Sequence, residues 1–143
     1  MDADGYILRI ATKQWVDQVF SRAIYYTGLQ RKWRSGQTIM FVHNNGLGDA
    51  FVGYGVVENT YGEENLSAEE IDECKRHRWK KALEFKYVFR FEEPLLLRKT
   101  LLKNSKLRGR YLHGKTLNKT QLDTLIAQGE HPKPQQSGLA KSL

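Results

Sequence analysis

The sequence predicts an α+β fold in which a mixed, mainly antiparallel β-barrel carries two to three flanking helices. Two observations lead to this prediction. Short apolar runs typical of strands outnumber the segments with helical periodicity. Neighbouring strands are joined by turns rich in glycine and asparagine, which favours antiparallel pairing. The 143 residues are the usual size of one domain, and we expect that domain to span residues 1–129.

The N-terminal half is predicted to contain a strand, a helix and a hairpin. Tyr6–Ile10 is the first strand, Thr12 is the N-cap of the helix, and Gly28 ends that helix. Strands Thr38–His43 and Phe51–Val57 form the hairpin around a glycine- and asparagine-rich turn. The helix carries an apolar stripe, which we interpret as core, formed by Trp15, Val16, Val19, Phe20, Ala23 and Ile24.

A second helix and a long strand are predicted in the C-terminal half. Ser67 and Glu70 have the spacing of a capping box, which begins the helix. Residues 84–92 alternate as a strand, and Pro94 is predicted to stop it. One face of this strand is aromatic and consists of Phe85, Tyr87, Phe89 and Phe91.

The last predicted element is a helix capped by Asn118–Gln121 and closed by Gly129. Residues 130–143 are rich in proline, glutamine, serine and lysine, a composition that predicts a disordered tail or linker. We expect this tail to lead to a second domain or to an effector protein.

The charge pattern points to a polyanionic partner, and specifically to nucleic acid. The formal net charge is +7, and the segment from Leu95 to Leu122 contains no acidic residue. The alternative is a solvated basic face without a partner. The candidate phosphate-binding residues from the sequence are Lys80, Arg98, Lys99, Arg108, Arg110 and Lys115.

Aromatic side chains set among cations indicate where a base would stack. Trp33 and Trp79 each lie between basic residues, and stacking of one base on a ring contributes about 1–3 kcal/mol. Tyr25 and Tyr26 lie at the end of the first predicted helix, where we expect a pocket rim. The alternative is that these rings pack under the aliphatic stems of their neighbours.

Three polar residues end the second predicted strand and complete the candidate base pocket. They are His43, Asn44 and Asn45. An amide side chain offers a paired donor and acceptor that can read a base edge. The alternative is that the two asparagines simply form the turn.

Several classes of function are disfavoured by the sequence. Cys74 is the only cysteine, so neither an internal disulfide nor a cysteine zinc cluster forms. The four histidines show no metal-ligand spacing, and no apolar run reaches the ~20 residues of a membrane span. We therefore expect a cytoplasmic protein without a metal or cofactor. No nucleophile–base arrangement is recognisable, so we expect no enzymatic activity.

The order of these segments resembles the YTH and EVE domains of the PUA-like superfamily. Ala23–Thr27 resembles the small–apolar–Trp–small–Thr segment of these families. Gly36–Val42 and Phe51–Val57 resemble an EVE strand pair, and Trp79–Pro94 resembles the YTH stretch in which a tryptophan precedes a long strand. The resemblance runs in order from about residue 6 to residue 128.

This resemblance implies a PUA-like barrel of about five to six strands, with a pocket for a flipped or single-stranded modified base. YTH domains recognise N6-methyladenine in RNA, and EVE-like relatives are associated with modified DNA bases. The resemblance places cage rings at Tyr25 and Trp79, a base- or phosphate-contacting cation at Arg9, and an asparagine at Asn44. A further YTH cage aromatic would fall near Cys74, where this sequence departs from the pattern.

We therefore predict a module that recognises a modified, methylated base such as N6-methyladenine in RNA or in single-stranded or flipped-base DNA. One alternative is a PUA-type domain that binds transfer or ribosomal RNA without modification specificity. A second is a protein-interaction domain whose aromatic residues are all core. A third is a small amidohydrolase-like enzyme, for which Lys115, Thr116 and Glu84 are the groups available.

Overall fold

A computed structural model describes residues 3–62, 66–104 and 109–130 of the chain. These residues form six strands, three α-helices and two short 3₁₀ turns at 97–99 and 109–112. In chain order the elements are β1 (Gly5–Arg9), α1 (Lys13–Arg22), β2 (Ile24–Thr27), β3 (Thr38–Asn44), β4 (Asp49–Tyr61), α2 (Ala68–His77), β5 (Lys81–Leu96), β6 (Thr116–Leu117) and α3 (Lys119–Glu130).

The six strands form one mixed sheet in the order β2-β5-β4-β3-β1-β6. Strands β1 and β3 are parallel, and every other neighbouring pair is antiparallel. The connection between these two parallel strands contains α1 and β2. Strand β2 lies at one edge of the sheet, and β6 lies at the other. The predicted α+β class, with a mixed and mainly antiparallel arrangement of strands and three helices, is confirmed.

Both faces of the central strands β1 and β3 are buried, which explains why these strands are almost continuously apolar. On β1, Leu8 points into a core that also contains Val16 and Val19 of α1. Ile7 points into a second core, which Leu122 and Leu125 of α3 complete. One helix therefore covers each side of the central strands, and successive residues of a strand serve different cores.

The first helix ends earlier than predicted, and the segment assigned to its last turns is a strand. Ala23 is the C-cap in the left-handed conformation at φ 55°. The following residues pair as β2 with Lys81–Glu84 of β5, so long-range hydrogen bonds override the helical spacing. Gly28 does not end a helix. It lies after β2, where a Cβ would come within 2.3 Å of the Arg78 carbonyl oxygen.

The long strand β5 is not stopped by Pro94 but continues to Leu96. Pairing with β4 jumps from Arg90 to Leu95, so Pro94 lies in an irregular stretch where its missing N–H breaks no ladder bond. A second bulge changes the predicted aromatic face. Val57 pairs with Phe85 and Val56 with Tyr87, which turns Phe85 towards the α1 side.

The predicted helix caps are confirmed, whereas the predicted end of the last helix is wrong. Thr12 caps α1, and Ser67 and Glu70 form the capping box of α2. The backbone N–H of Gln121 donates to Oδ1 of Asn118 at the start of α3. Gly129 lies inside α3 because the helix packs closely on the Phe91 ring, where only glycine leaves enough room.

The domain boundary predicted at residue 129 falls inside α3. Glu130 belongs to this helix and accepts a hydrogen bond from the Tyr54 hydroxyl of β4. This contact anchors the end of α3 to the sheet. The remainder of the predicted tail, residues 131–143, lies outside the described residues.

Gly129→Ala is expected to destabilise the protein, although alanine normally favours a helix interior by about 0.5–1 kcal/mol. A Cβ at this position would lie 2.2–2.5 Å from ring atoms of Phe91, and overpacking of this kind costs about 1–3 kcal/mol. Urea unfolding measures the change. Adding Phe91→Leu should recover part of the loss, because the two sites are in contact. A variant as stable as the wild type would contradict the packing of α3 on Phe91.

Candidate functional site

An aromatic pocket of about 230 Å³ lies where the end of β1 meets α1, β2 and the end of α2. The chain reversal at Ala23 creates this meeting point, because it brings β2 back beside the first turns of α1. We call this space the aromatic pocket. It is lined by Arg9, Ile10, Ala11, Thr12, Trp15, Gln18, Tyr25, Tyr26, His77 and Trp79.

The rings of the aromatic pocket contact one another around Trp79. Tyr26 lies roughly parallel to the indole, with 5.3 Å between ring centroids and 17° between planes. His77 is also stacked with it, at 4.3 Å and 20°. Trp15 meets Trp79 edge-to-face at 5.0 Å and 86°. These contacts hold the indole in place, so the wall of the pocket is formed before any ligand binds.

Tyr25 supplies a phenol to the pocket. Its ring is half-buried and packs towards Phe41 of the core, with 6.5 Å between centroids. Burial raises the pKa of Tyr25 to about 12, so the hydroxyl is protonated at neutral pH. Within the described part of the chain, no hydrogen bond to this hydroxyl is found. The group is therefore available to a ligand as a donor or an acceptor.

Glu70 connects the cap of α2 to the aromatic pocket. Its Oε2 accepts a hydrogen bond of 3.0 Å from the Tyr26 hydroxyl, and its Oε1 accepts from the backbone N–H of Ser67. Burial and this contact with Glu70 raise the pKa of Tyr26 to about 12. The Ser67 N–H, and to a lesser degree Tyr26, hold the pKa of Glu70 below its usual value. One carboxylate therefore fixes both the helix start and a pocket ring.

Arg9 contributes a cation to the pocket wall, but it already has a partner. Its Nε and Nη2 both donate to Oδ1 of Asp49 at 3.2 Å. Its backbone N–H donates to Nδ1 of His113 at 3.0 Å. Burial, followed by the charges of Arg31 and Arg9, lowers the pKa of His113. The imidazole is therefore neutral at pH 7, in keeping with its role as an acceptor.

A smaller recess of about 190 Å³ lies beside the Arg9–Asp49 ion pair and borders the predicted basic segment. Its charged lining residues are Arg98, Lys103 and Asp49, and we call it the basic recess. Arg98 donates from Nη1 to the carbonyl oxygen of Leu47 at 3.4 Å. The ion pair therefore lies between the aromatic pocket and the start of the basic segment.

The opposite flank of the aromatic pocket is acidic. A cleft of about 630 Å³ between α1 and α2 shares Trp15, Gln18, Tyr26 and Trp79 with the pocket. Its rim combines four carboxylates with two guanidinium groups, those of Glu69, Glu70, Asp72, Glu73, Arg22 and Arg76. A polyanion is therefore favoured on the Arg9 side and disfavoured on the α2 side.

The structure brings Arg9, Tyr25, Tyr26 and Trp79 of the predicted site together in the aromatic pocket. Lys80 follows Trp79 and is exposed. Arg9, Tyr25, Tyr26 and Trp79 come from two strands, β1 and β2, and from the loop after α2, which are distant in sequence. The fold therefore brings together these four residues of the site predicted from the sequence.

Four other predicted base-pocket residues lie outside the aromatic pocket. Trp33 packs against Tyr6 at 5.0 Å, and its Nε1 donates to the carbonyl oxygen of Leu29. Nδ1 of His43 is 2.8 Å from the carbonyl oxygen of Ile10. The remaining two are Asn44 and Asn45, whose Oδ1 atoms accept backbone N–H bonds inside their own turn.

The remaining predicted phosphate ligands are spread over the surface. Lys99 is exposed next to Arg98, and Lys115 is half-buried beside β6. Arg108 lies outside the described residues, and so does the side chain of Arg110.

Sequence reasoning missed six lining residues of the pocket, three of which are Ile10, Ala11 and Thr12. Trp15 was interpreted as core, yet it forms part of the pocket wall, as do Gln18 and His77. The signal for Trp15 and Gln18 was their place in the first turns of a helix that follows directly on Arg9. Cys74, where a YTH cage ring is absent, is buried. Trp15 adds a large ring to the pocket wall beside Tyr25, Tyr26 and Trp79.

Two further properties bear on the site. Among the described residues, no three His, Cys, Asp or Glu side chains are grouped so as to hold a metal ion. The helices seen in residues 3–62, 66–104 and 109–130 are all too short or too polar to cross a membrane.

Glu70→Gln is expected to lower the free energy of unfolding at pH 7 by about 0.2–1 kcal/mol, the range of exposed charge interactions. The lowered pKa means that the carboxylate stabilises the fold above its usual pKa near 4.5. This contribution is lost as the pH falls through the folded-state pKa. Urea unfolding at pH 7 and pH 3 should therefore show a difference that shrinks in acid. Glu69→Gln, in the same helical turn, is the control, and a pH-independent difference would contradict the role of Glu70.

Comparisons with known proteins identify the fold. No protein-family model matches the sequence, and no curated protein matches it significantly. The crystal structure of ASCH from Zymomonas mobilis matches with a TM-score of 0.62 and 12% identity, covering 85% of this chain and 92% of that chain. A serine-to-alanine variant of the same protein matches with a TM-score of 0.60 and 13% identity, covering 87% and 97%. At 12–13% identity these matches show the fold alone and assign neither YTH nor EVE specificity. The chain therefore has the fold of the ASCH structure from Zymomonas mobilis.

Proposed function

We propose that this protein is a non-catalytic module that binds single-stranded nucleic acid, preferably RNA, by holding one base in the aromatic pocket. The observation that carries the proposal is the convergence of Trp15, Tyr25, Tyr26 and Trp79 on one space beside Arg9. A PUA-like fold and a net charge of +7 support the same class of partner.

The size and chemistry of the pocket suit a single planar base. Its volume of about 230 Å³ is below the roughly 300–1,000 Å³ of pockets for drug-sized ligands. Trp15, Tyr25 and Trp79 line the pocket and offer apolar surface to a base. The Tyr25 hydroxyl and the Gln18 amide offer polar groups to its edge. This combination favours a ring whose perimeter carries both donors and acceptors.

The charges around the pocket determine on which side of it a bound nucleic-acid chain would lie. Arg9 and the basic recess with Arg98 and Lys103 lie on one flank, whereas carboxylates of α2 line the other. We therefore place the flanking phosphates along the side of Arg98 and Lys99. Counterion release from such contacts makes binding weaken steeply with salt.

We further propose that the preferred base is methylated, with N6-methyladenine as the leading example. The large rings that line this space would exclude water from a methyl group and contact it directly. Trp15 fills the role that an aromatic residue near Cys74 would have in a YTH cage. The second candidate is a PUA-type module for transfer or ribosomal RNA that is indifferent to modification.

An amidohydrolase-like enzyme has less support from the geometry. Glu84 accepts hydrogen bonds from Asn59 and Tyr61 on the β2 side of the sheet. Lys115 and Thr116 lie at β6, and strands β4, β3 and β1 separate β6 from β5. The three nominated groups therefore have no shared site to act on.

Trp79→Ala is expected to weaken binding of a short labelled single-stranded RNA by about 5- to 150-fold, the equivalent of ~1–3 kcal/mol of base stacking. Tyr25→Phe keeps the ring and should cost about 2- to 10-fold through one lost hydrogen bond. Fluorescence anisotropy measures both. Tyr111→Phe, at a tyrosine that is 62% exposed outside the pocket, is the matched control and should bind like the wild type. Unchanged binding by a folded Trp79→Ala variant would refute the pocket.

The methyl preference is tested with paired RNAs that differ only in adenine or N6-methyladenine. The wild type should prefer the methylated strand, and Trp79→Ala should remove the preference. Lys99→Ala should weaken both strands equally and reduce the salt slope by about 0.7, the value of one single-strand phosphate contact. Equal affinity of the wild type for both strands would favour the modification-indifferent RNA-binding module instead.

A further inference from the structure

His113 presents a hydrogen-bond donor next to a residue of the aromatic pocket. Its Nδ1 accepts the backbone N–H of Arg9 at 3.0 Å, and the side chain of Arg9 lines the pocket. Because Nδ1 is an acceptor, the proton of the neutral imidazole is on Nε2. Within the described part of the chain, no acceptor for this N–H is found. Nε2 is open to solvent, since Oε1 of Gln128 is the only side-chain polar atom of the described residues that is both buried and unpartnered.

Backbone hydrogen bonds fix the position of this ring at the end of β1. The segment before β6 runs antiparallel to β1, because the N–H of Ile7 donates to the carbonyl oxygen of Lys115. The N–H of Gly114 donates to the carbonyl oxygen of Ile7. On the same side of the strand, the next N–H is that of Arg9, and the ring of His113 takes the place of a backbone acceptor. The direction of the Nε2 donor is therefore set by the fold.

A guanidinium group lies beside this donor. Nε of Arg31 donates to the carbonyl oxygen of Gly114 at 3.1 Å, and Nη1 donates to that of Gln30 at 2.7 Å. A Cβ added to Gly114 would come within 2.5 Å of Nη2 of Arg31, so the guanidinium group lies directly on the residue that follows His113. Among the described residues, no acceptor is found for Nη2. The loop before β3 therefore brings a second available donor to the same place.

The two arginines make the surroundings of His113 positive. Burial lowers the pKa of His113, and the charges of Arg31 and Arg9 lower it further. The ring is therefore neutral at pH 7 and donates from Nε2 while it keeps the bond from the Arg9 N–H. The guanidinium of Arg9 is already bound to Asp49, so the charge available to a ligand is that of Arg31. A neutral N–H beside a guanidinium group suits an oxyanion, because its several oxygens accept from both.

We propose that His113 and Arg31 form a binding site for one phosphate group, adjacent to the base held in the aromatic pocket. The identity of this group as a nucleic-acid phosphate rests on the proposed function, whereas the site itself stands on the two donors. Arg9 connects the site to the pocket, because its side chain lines the pocket and its backbone N–H orients the ring of His113. The bound chain then has a phosphate on the β6 side of the pocket as well as on the side of Arg98.

Two substitutions of His113 separate the phosphate donor from the structural acceptor. His113→Asn keeps an acceptor near the position of Nδ1 but removes the donor at Nε2. It should be as stable as the wild type in urea and bind a short labelled single-stranded RNA about tenfold more weakly, the value of one hydrogen bond to a charged group. His113→Gln keeps an N–H near the position of Nε2 but leaves the N–H of Arg9 without its acceptor. It should be less stable, yet bind RNA more tightly than His113→Asn. Affinities that follow stability across the two variants would overturn the role of His113 as a phosphate ligand.

Arg31→Gln tests the charged half of the site. It should weaken RNA binding and reduce the salt slope by about 0.7, the value of one single-strand phosphate contact. His113→Asn should leave the salt slope unchanged, because the donor that it removes is neutral. Lys32→Gln removes the same charge from the next residue, which is exposed, and is the control that should keep the wild-type slope. A wild-type slope in Arg31→Gln would overturn the role of Arg31.

Inorganic phosphate distinguishes failure of this site from failure of the proposed function. NMR of the full chain with isotope-labelled histidine follows the Nε2 signal of His113 as phosphate replaces chloride at constant ionic strength. Phosphate should shift this signal in the wild type, and Arg31→Gln should reduce the shift. A shift in a protein that binds no RNA would support the site and refute the proposed function. Absence of a shift, or RNA binding that neither His113→Asn nor Arg31→Gln weakens, would overturn the site and leave the proposed function intact.

Discussion

The stacking of Tyr26 against Trp79 is the interaction on which the rest of this site depends. Tyr26 lies on an edge strand, Trp79 follows α2, and Trp15 meets Trp79 from α1. Residues from α1, β2 and the loop after α2 are thereby held around one space. Glu70 reinforces the arrangement, because the carboxylate that caps α2 also accepts the Tyr26 hydroxyl bond. The stability of a helix end and the shape of the pocket are consequently coupled.

The aromatic rings have groups of opposite charge on their two sides. The carboxylates of α2 and the guanidinium groups near β1 flank the same rings on opposite sides. A neutral, flat ligand experiences little difference between the two flanks. A ligand with a flat ring on an anionic chain experiences a large one, because its charges gain on one side and lose on the other. Under the proposed function, the protein would therefore select its ligand by the combination of a flat ring and a negative charge.

Local hydrogen bonding explains which parts of the fold were accessible from sequence. In each of the caps at Thr12 and Ser67, the hydrogen bond joins residues only three positions apart. Such local contacts can be recognised in the sequence. Strand β2 was missed because its residues continue the helical stripe, and only pairing with β5, more than fifty residues away, reverses that preference. Trp33 was misplaced for a similar reason, since its contact with Tyr6 is a long-range one.

The ion pair between Arg9 and Asp49 has a consequence for selectivity among anions. Two guanidinium N–H groups already converge on one carboxylate oxygen before any ligand arrives. An incoming anion must therefore exchange with a charge that is covalently tethered and always present at high local concentration. In the proposed complex, a phosphodiester anchored by its base would have a comparable local concentration, so base binding and displacement of Asp49 from Arg9 would be coupled.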